Sequence, residues 1–133
     1  MLPVEFTIQG PPVSLQTRNR GRLQAWKAEV RQAAQAVLPN GVQPLANDVT
    51  FSVTYYYDTH SPDVDNIIKP IQDALVGLVY LDDDQIQETK SRKKDINGSY
   101  RIRNAAPIVV EGFINGVDFL HVRVEQYTNQ NDL

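Results

Sequence analysis

Three segments of this chain alternate apolar and polar side chains with a period of two, the pattern typical of β-strands. They run from Val4 to Ile8, from Val49 to Tyr57 and from Phe119 to Tyr127. A fourth segment, from Ile86 to Lys94, is largely polar. We expect it to form an edge or half-buried strand whose basic side chains face solvent or ligand. The longest predicted core face comprises Val49, Phe51, Val53 and Tyr55.

Two further segments space their apolar residues three or four apart, which predicts amphipathic helices. The first helix is predicted from Leu23 to Leu38, where Pro39, Asn40 and Gly41 close it. The second is predicted to end near Gly77. Its apolar face comprises Ile67, Ile71, Ala74, Leu75 and Leu78.

Pro70 restricts where the second helix can begin. A proline inside a helix removes one hydrogen bond and disfavours the helical conformation of the preceding residue, so we place Pro70 in the first turn. The predicted start then lies between Asn66 and Lys69. Asp63 and Asp65 precede it, where free N–H groups and the positive end of the helix dipole favour carboxylates.

A length of 133 residues predicts one domain over residues 1–133. The segment LVYLDDD, residues 78–84, predicts a short buried stretch that ends in acid. Tyr100 to Ile114 predicts an irregular hairpin.

Composition excludes several classes of protein. With 41% hydrophobic and 22% charged residues the chain is typical of globular proteins, and no apolar run approaches the roughly 20 residues that cross a bilayer. The absence of cysteine excludes disulfides, thiolate zinc sites and a cysteine nucleophile. The start MLPVEFTIQG lacks the features of a secretory signal, so we expect a cytoplasmic protein.

The distribution of charge changes the picture that the net charge suggests. A net charge of −3 argues against a nucleic-acid binder, because attraction to phosphate depends on Lys and Arg. Eleven of the thirteen basic residues, however, fall into two groups that flank an acidic centre. The first group is Arg18, Arg20, Arg22, Lys27 and Arg31, and the second is Lys90, Arg92, Lys93, Lys94, Arg101 and Arg103. Solvated charged surface is an equally good interpretation of either group by itself.

Six aspartates lie between Ser61 and Ile86, and such a cluster is either spread over solvent or gathered round a cation. Asp63 and Asp65 are two apart, so on an extended segment they share one face. If the buried stretch returns Asp83 beside them, one Mg²⁺ ion (or Mn²⁺) can be shared, because such cations prefer oxygen ligands. Lys69 lies four residues beyond Asp65 and can steady a phosphate there.

Other interpretations of the same residues compete with a metal site. Asp63 and Asp65 are also suited to capping a helix, and Asp82 to Asp84 to an acidic turn. Lys69 is equally suited to an ion pair with Asp65 or Asp73 on a helix surface. An EF-hand loop starting at Asp63 fails, because Ile67 and Ile68 stand where oxygen ligands and a glycine are needed. An aspartyl-phosphate nucleophile at Asp63 fails because THSP separates it from the strand.

The segment PDVDNIIKPIQDAL followed by LDDDQI resembles the signature of the RusA family of Holliday junction resolvases, endodeoxyribonucleases of bacteria and their phages. The resemblance implies that Asp63, Asp65 and Asp83 are essential acidic residues and that Lys69 is required. Asp82 matches a neighbouring acidic position and is a further expected metal ligand. Asp73 and Asp84 are expected to be ordinary surface acids.

The resemblance also implies an α/β (α+β) fold with a mixed sheet of about four to five strands packed by two helices. It implies as well a homodimer with two active sites and Mg²⁺-dependent nicking of a four-way DNA junction. Ser99 to Val117 is longer than the connection usual in that family. The expected DNA-binding residues are Arg18, Arg20, Arg22, Lys90, Arg92, Lys93 and Lys94. Two alternatives stay open: a non-catalytic DNA-binding module of the same fold, and a phosphoester hydrolase acting on small substrates.

Overall fold

The computed structural model describes residues 3–58, 64–97 and 107–128. A short 3₁₀ turn, Asp83–Gln85, precedes the third strand. The strands are β1 (Val4–Gln9), β2 (Val49–Tyr57), β3 (Ile86–Asp95) and β4 (Phe119–Gln126), and the helices are α1 (Arg20–Val37), α2 (Asp65–Ala74) and α3 (Pro107–Asn115). All four predicted strands and both predicted helices are therefore confirmed.

The four strands form one mixed sheet in the order β1-β4-β2-β3. β2 and β3 run parallel, whereas β4 pairs antiparallel with both β1 and β2. α2 lies between β2 and β3 in the chain, so it forms the crossover that two parallel strands require. The fold is thus α+β, as predicted, and β3 is an edge strand, as predicted.

One face of the sheet packs against α1 and α2 and holds the main core. The inward side chains of β2 are buried, and Phe51 and Tyr55 are fully inaccessible to solvent. α1 contributes Trp26 and Val30, which are buried in the same cluster. We call this the helix face and the opposite side the rear face. The alternation of apolar residues therefore predicted which side of each long strand is buried.

A third helix, α3, corrects the predicted hairpin between Tyr100 and Ile114. Residues 107–115 are helical, and the earlier part of that segment lies outside the described residues. Val109 is buried in a second, smaller cluster on the rear face, together with Phe119 and partly buried Tyr56. The hairpin prediction was wrong because the aromatic surface that covers the apolar side of this helix comes from β2 and β4, which are remote in sequence.

The start of α2 also differs from the prediction. The helix begins at Asp65, and Pro70 therefore lies in its second turn instead of its first. A proline at this point has no N–H to offer the carbonyl of Asn66, four residues earlier. That carbonyl instead accepts a hydrogen bond from the N–H of Leu15, at 2.8 Å. A partner from another part of the chain thus makes the proline tolerable.

Among the described residues, no helix is both long and apolar enough to cross a bilayer.

Candidate active site

One side of α2 carries a polar stripe of Asp65, Lys69 and Asp73. These residues are four apart, so they follow one another along the same side of the helix. The opposite side is apolar and buries Ile67 and Ile71 in the main core. Asp65 lies in the first turn, where the positive end of the helix dipole stabilises a carboxylate. Burial of the apolar side therefore fixes which way the polar stripe faces.

Lys69 joins this stripe to the aspartates that follow α2. Its Nζ atom lies 2.5 Å from Oδ2 of Asp83 and 3.1 Å from Oδ1 of Asp73. All three side chains are partly exposed, with 44% of Lys69, 41% of Asp83 and 32% of Asp73 accessible. The structure thus brings Lys69 and Asp83 together, and it leaves their ammonium and carboxylate groups open to a ligand.

The protonation states at this cluster follow from the contacts. The hydrogen bond from Lys69 is the main reason that the pKa of Asp83 is lowered. The hydrogen bonds to Asp83 and then to Asp73 raise the pKa of Lys69, although partial burial opposes this. At neutral pH Asp83 is therefore ionised and Lys69 is charged. Lys69 can donate hydrogen bonds to an anion, and it is a poor general base.

Gln85 holds the acidic turn in place, a role that our sequence interpretation missed. Its side-chain Oε1 accepts hydrogen bonds from the N–H groups of Leu81, at 2.8 Å, and Asp82, at 2.9 Å. Its Nε2 donates to the carbonyls of Leu45 and Asn47, each at 2.8 Å. The signal was present in the sequence, since a Gln three residues after an Asp is typical of a capping box.

Asp82 caps the short 3₁₀ turn. One of its carboxylate oxygens accepts a hydrogen bond from the N–H of Asp83, at 2.7 Å. The competing interpretation of Asp82 as a cap therefore describes what the side chain does in the structure. Its role as a metal ligand stays a prediction.

Asp73 belongs to the cluster, although we expected an ordinary surface acid. Its spacing of four residues from Lys69 was the available signal. The neighbouring Tyr80 is fully buried, and its hydroxyl donates to the carbonyl of Gln72 at 2.5 Å. Burial, followed by the charges of Asp73 and Asp83, raises the pKa of Tyr80. The side chain of Tyr80 therefore stays a neutral phenol.

The expected metal ligands are only partly represented in the described residues. Asp63 lies outside them. Within residues 3–58, 64–97 and 107–128, no three histidine, aspartate or glutamate side chains lie close enough together to hold one metal ion. Carboxylate oxygen donors nevertheless suit Mg²⁺ chemically, and Asp65 and Asp83 supply such donors. The set of Asp63, Asp65, Asp83 and Asp82 stays a prediction.

Comparison with protein-family models matches residues 10–103 to "Endodeoxyribonuclease RusA". This chain belongs to the RusA endodeoxyribonuclease family. The match includes α1, α2, the acidic turn and β3, whereas α3 and β4 lie beyond it. No curated protein matches the chain. The resemblance inferred from the aspartate motif is thus confirmed, and it identifies the chain as a nuclease, a hydrolase of DNA phosphodiester bonds.

The first basic group of this RusA-family chain is divided along α2. Arg31 donates hydrogen bonds to the carbonyls of Ala74 and Val76 at the end of this helix, at 2.9 and 3.0 Å, whereas the first three arginines lie towards its beginning. Arg18 is in the loop before α1, while Arg20 and Arg22 are in its first turn. Arg20 donates a long hydrogen bond, 3.4 Å, to the carbonyl of Leu15. The N–H of the same Leu15 is bonded to Asn66 in α2. This link places the arginine loop beside the helix that carries Asp65 and Lys69.

Arg101 and Arg103 of the second basic group lie outside the described residues, and its described members do not form one patch. β3 pairs with β2 so that Lys93 lies opposite Tyr55, on the helix face. Three other cations of this strand, Lys90, Arg92 and Lys94, lie opposite Ser52, Thr54 and Tyr56, on the rear face. Successive side chains of a strand point to opposite sides, so the group is divided between the two faces. On the helix face, the hydroxyl oxygen of Thr89 accepts a hydrogen bond of 3.1 Å from Nε2 of Gln72 in α2. Lys93 is four residues further along β3, so it lies on the same side of the sheet as the acidic cluster.

Proposed function

We propose that this RusA-family nuclease is a Mg²⁺-dependent, structure-selective endonuclease that resolves Holliday junctions by paired nicks. Family membership supports cleavage of DNA. The finer proposal rests on the position of Lys69. Its ammonium group lies between the carboxylates of Asp83 and Asp73, on the same side of α2 as Asp65. A cation set among ionised carboxylates at an open surface is suited to binding a phosphodiester beside a metal.

Lys69 has a donor left for the substrate. An ammonium group offers three N–H donors, and Asp83 and Asp73 each accept one. The third is available to a phosphate oxygen. Since the two carboxylates raise the pKa of Lys69, its charge persists at neutral and mildly alkaline pH. Lys69 would therefore stabilise the charge that develops on the phosphodiester.

Four aspartates would hold the metal: Asp63, Asp65, Asp83 and Asp82. When bound, Mg²⁺ (or Mn²⁺) would lower the pKa of a water molecule and neutralise charge on the phosphodiester. Gln85 would position Asp83 by fixing the turn in which it lies. A homodimer would supply two such sites, one for each DNA strand to be nicked. The enzyme would act in the bacterial cytoplasm.

A cleavage assay on a four-way junction with Mg²⁺ or Mn²⁺ tests the proposal. We expect Asp65→Asn and Lys69→Met each to reduce the cleavage rate by about 10²–10³-fold. Lys27→Met, on α1, removes one charge outside the cluster and is the matched control. Urea unfolding should show that both site variants stay folded, since their side chains are partly exposed.

Three results would decide against this function. If the wild type cuts the junction no faster than Asp65→Asn does, Asp65 has no catalytic role. Junction binding with steep salt dependence but without metal-dependent cleavage would instead indicate a DNA-binding module. Turnover of small phosphoesters without cleavage of DNA would indicate the other hydrolase class.

A further inference from the structure

The rear face of the sheet carries a groove of about 500 Å³ that the active site does not use. β2 contributes hydroxyl groups to its floor, from Ser52, Thr54 and Tyr56. Val109 of α3 lines it as well. Its polar walls come from β3 and from β4 with β1, and comprise Lys90, Arg92, His121, Arg123, Glu125 and Glu5. The groove is therefore polar, shaped by four strands and open beside the edge of the sheet.

Strand pairing arranges these side chains in two rows across the sheet. In the first row, Thr54 lies between Arg92 and His121. In the second row, Ser52 lies between Lys90 and Arg123. Each row thus places a hydroxyl between two nitrogen-bearing side chains, an arrangement in which every group can donate a hydrogen bond to an anion.

The acidic side chains of the groove are engaged at the end farthest from β3. Glu5 on β1 lies 2.6 Å from Arg123 and 3.4 Å from Nε2 of His121. Glu125 lies 3.5 Å from Arg123. Burial is the main reason that the pKa of His121 is lowered, so His121 is uncharged at neutral pH. The β1 side of the groove thus carries two carboxylates against one guanidinium, a formal net charge of −1.

The β3 side keeps its positive charge. Lys90 lies 3.3 Å from Glu88, and this pair is exposed, so solvent screens it. Within the described part of the chain, no carboxylate lies at ion-pair distance from Arg92. The neighbouring strand β2 adds hydroxyls and no acid. Positive charge on this face is therefore concentrated along the edge strand.

The edge strand β3 carries cations on both of its faces. Lys93 points to the helix face with the acidic cluster, whereas Lys90 and Arg92 point to the opposite side. A straight duplex that lies against the helix face leaves Lys90 and Arg92 directed away from it. A DNA with two diverging arms can contact both sets, because the second arm can pass along the rear face.

We propose that the rear groove binds the phosphate backbone of a second DNA arm, with Arg92 and Lys90 as its principal contacts. Phosphate oxygens match the guanidinium, ammonium and hydroxyl donors of the two rows. β3 then separates two arms, and Lys93 contacts the arm that lies at α2. The proposal rests on the proposed function in that the arm at α2 is the one cleaved.

The experiment compares the dissociation constants of a four-way junction and of a linear duplex with the same sequence, over a range of salt concentrations. We expect the double variant Lys90→Ala, Arg92→Ala to weaken junction binding by at least about 10-fold and to reduce its salt slope by about two. Its duplex affinity should equal that of the wild type. Lys93→Ala should weaken both, and Lys27→Ala, which removes one positive charge from α1, should leave the ratio unchanged.

Three outcomes would overturn the proposal. They are equal losses on junction and duplex, no loss on either, and a wild type without preference for the junction. Unchanged binding would mean that these cations only protect the strand edge from pairing with other chains. A wild type that prefers the junction but does not cut it with Mg²⁺ refutes the nuclease function alone. The ratio of the junction and duplex dissociation constants tests the role of the groove independently of cleavage.

Discussion

The backbone N–H of Leu15 donates to the carbonyl of Asn66 at 2.8 Å, and Pro70 is the reason that this carbonyl is available. In an uninterrupted helix the residue four positions later would donate to it. Pro70 has no N–H, so the position is open to a donor from outside α2. The loop before α1, which carries Arg18 and leads to Arg20 and Arg22, is thereby attached to the helix of the acidic cluster.

Replacing Pro70 should loosen this attachment. In Pro70→Ala the new N–H competes with Leu15 for the carbonyl of Asn66, so we expect faster hydrogen exchange at the Leu15 amide. The amide of Gly10, which bonds the carbonyl of Asp118 at 2.9 Å, should keep its exchange rate and serves as an internal control. An unchanged rate at Leu15 would show that the proline does not govern this contact.

Gln85 should be important for stability because its amide satisfies four backbone groups. Gln85→Met leaves the N–H of Asp82 and the carbonyl of Asn47 without a partner, and it leaves the N–H of Leu81 and the carbonyl of Leu45 only their own 3.3 Å bond. We expect a loss of about 2–4 kcal/mol in the free energy of unfolding. Gln85→Glu keeps the acceptor but, when ionised, cannot donate. The loss of stability in Gln85→Glu should therefore be smaller in acid, where the carboxyl group regains a proton and can donate. Urea unfolding measures both, and a wild-type midpoint for Gln85→Met would contradict the prediction.

Two glycines provide a matched test of the docking of α3. A Cβ atom at Gly112 would overlap the ring of Phe119, so Gly112→Ala should destabilise the protein by about 1–3 kcal/mol. Gly21, in α1, has Asn19 Oδ1 at 3.6 Å as its nearest neighbour. Gly21→Ala should stabilise by up to about 1 kcal/mol, because alanine favours a helix. Thermal melts distinguish the two, and equal shifts would show that α3 is not packed on Phe119.

His121 should make stability depend on pH near neutrality. Burial lowers its pKa in the folded protein below the usual 6.5, so below that pH the unfolded chain binds more protons than the folded one. Stability should therefore be highest above about pH 6.5 and fall on acidification, by at most about 1.4 kcal/mol per pH unit. The fall should level off below the folded pKa. Glu5, Arg92 and Arg123 face the ring and modulate that pKa.

His121→Asn removes this titration. Urea unfolding between about pH 5.5 and 7.5 should show that the free energy of unfolding depends less on pH in this variant than in the wild type. Acidic groups titrate below this interval, so they contribute little to the difference. An identical slope in the two proteins would mean that another group is responsible.

Much of the fold could be predicted from local pattern. The alternation in Val49–Tyr57 marked a strand with one buried face, and the strand has those bounds. The aspartate motif identified Lys69 and Asp83 as partners at a site, and the structure brings them together. The prediction failed for α3, because its burial depends on Phe119 and Tyr56 from other strands.

The sequence by itself determined the periodicity of each element, the side of each that is buried, and the aspartate motif that indicates the RusA family. Those properties are local, since side-chain direction repeats every two residues in a strand and every 3.6 in a helix. The tertiary structure decided which distant neighbours meet: Leu15 with Asn66, Gln85 with Leu45 and Asn47, and the cations of β3 divided between two faces. Periodicity records that a side chain points inward or outward, but the identity of its partner depends on how distant segments pack.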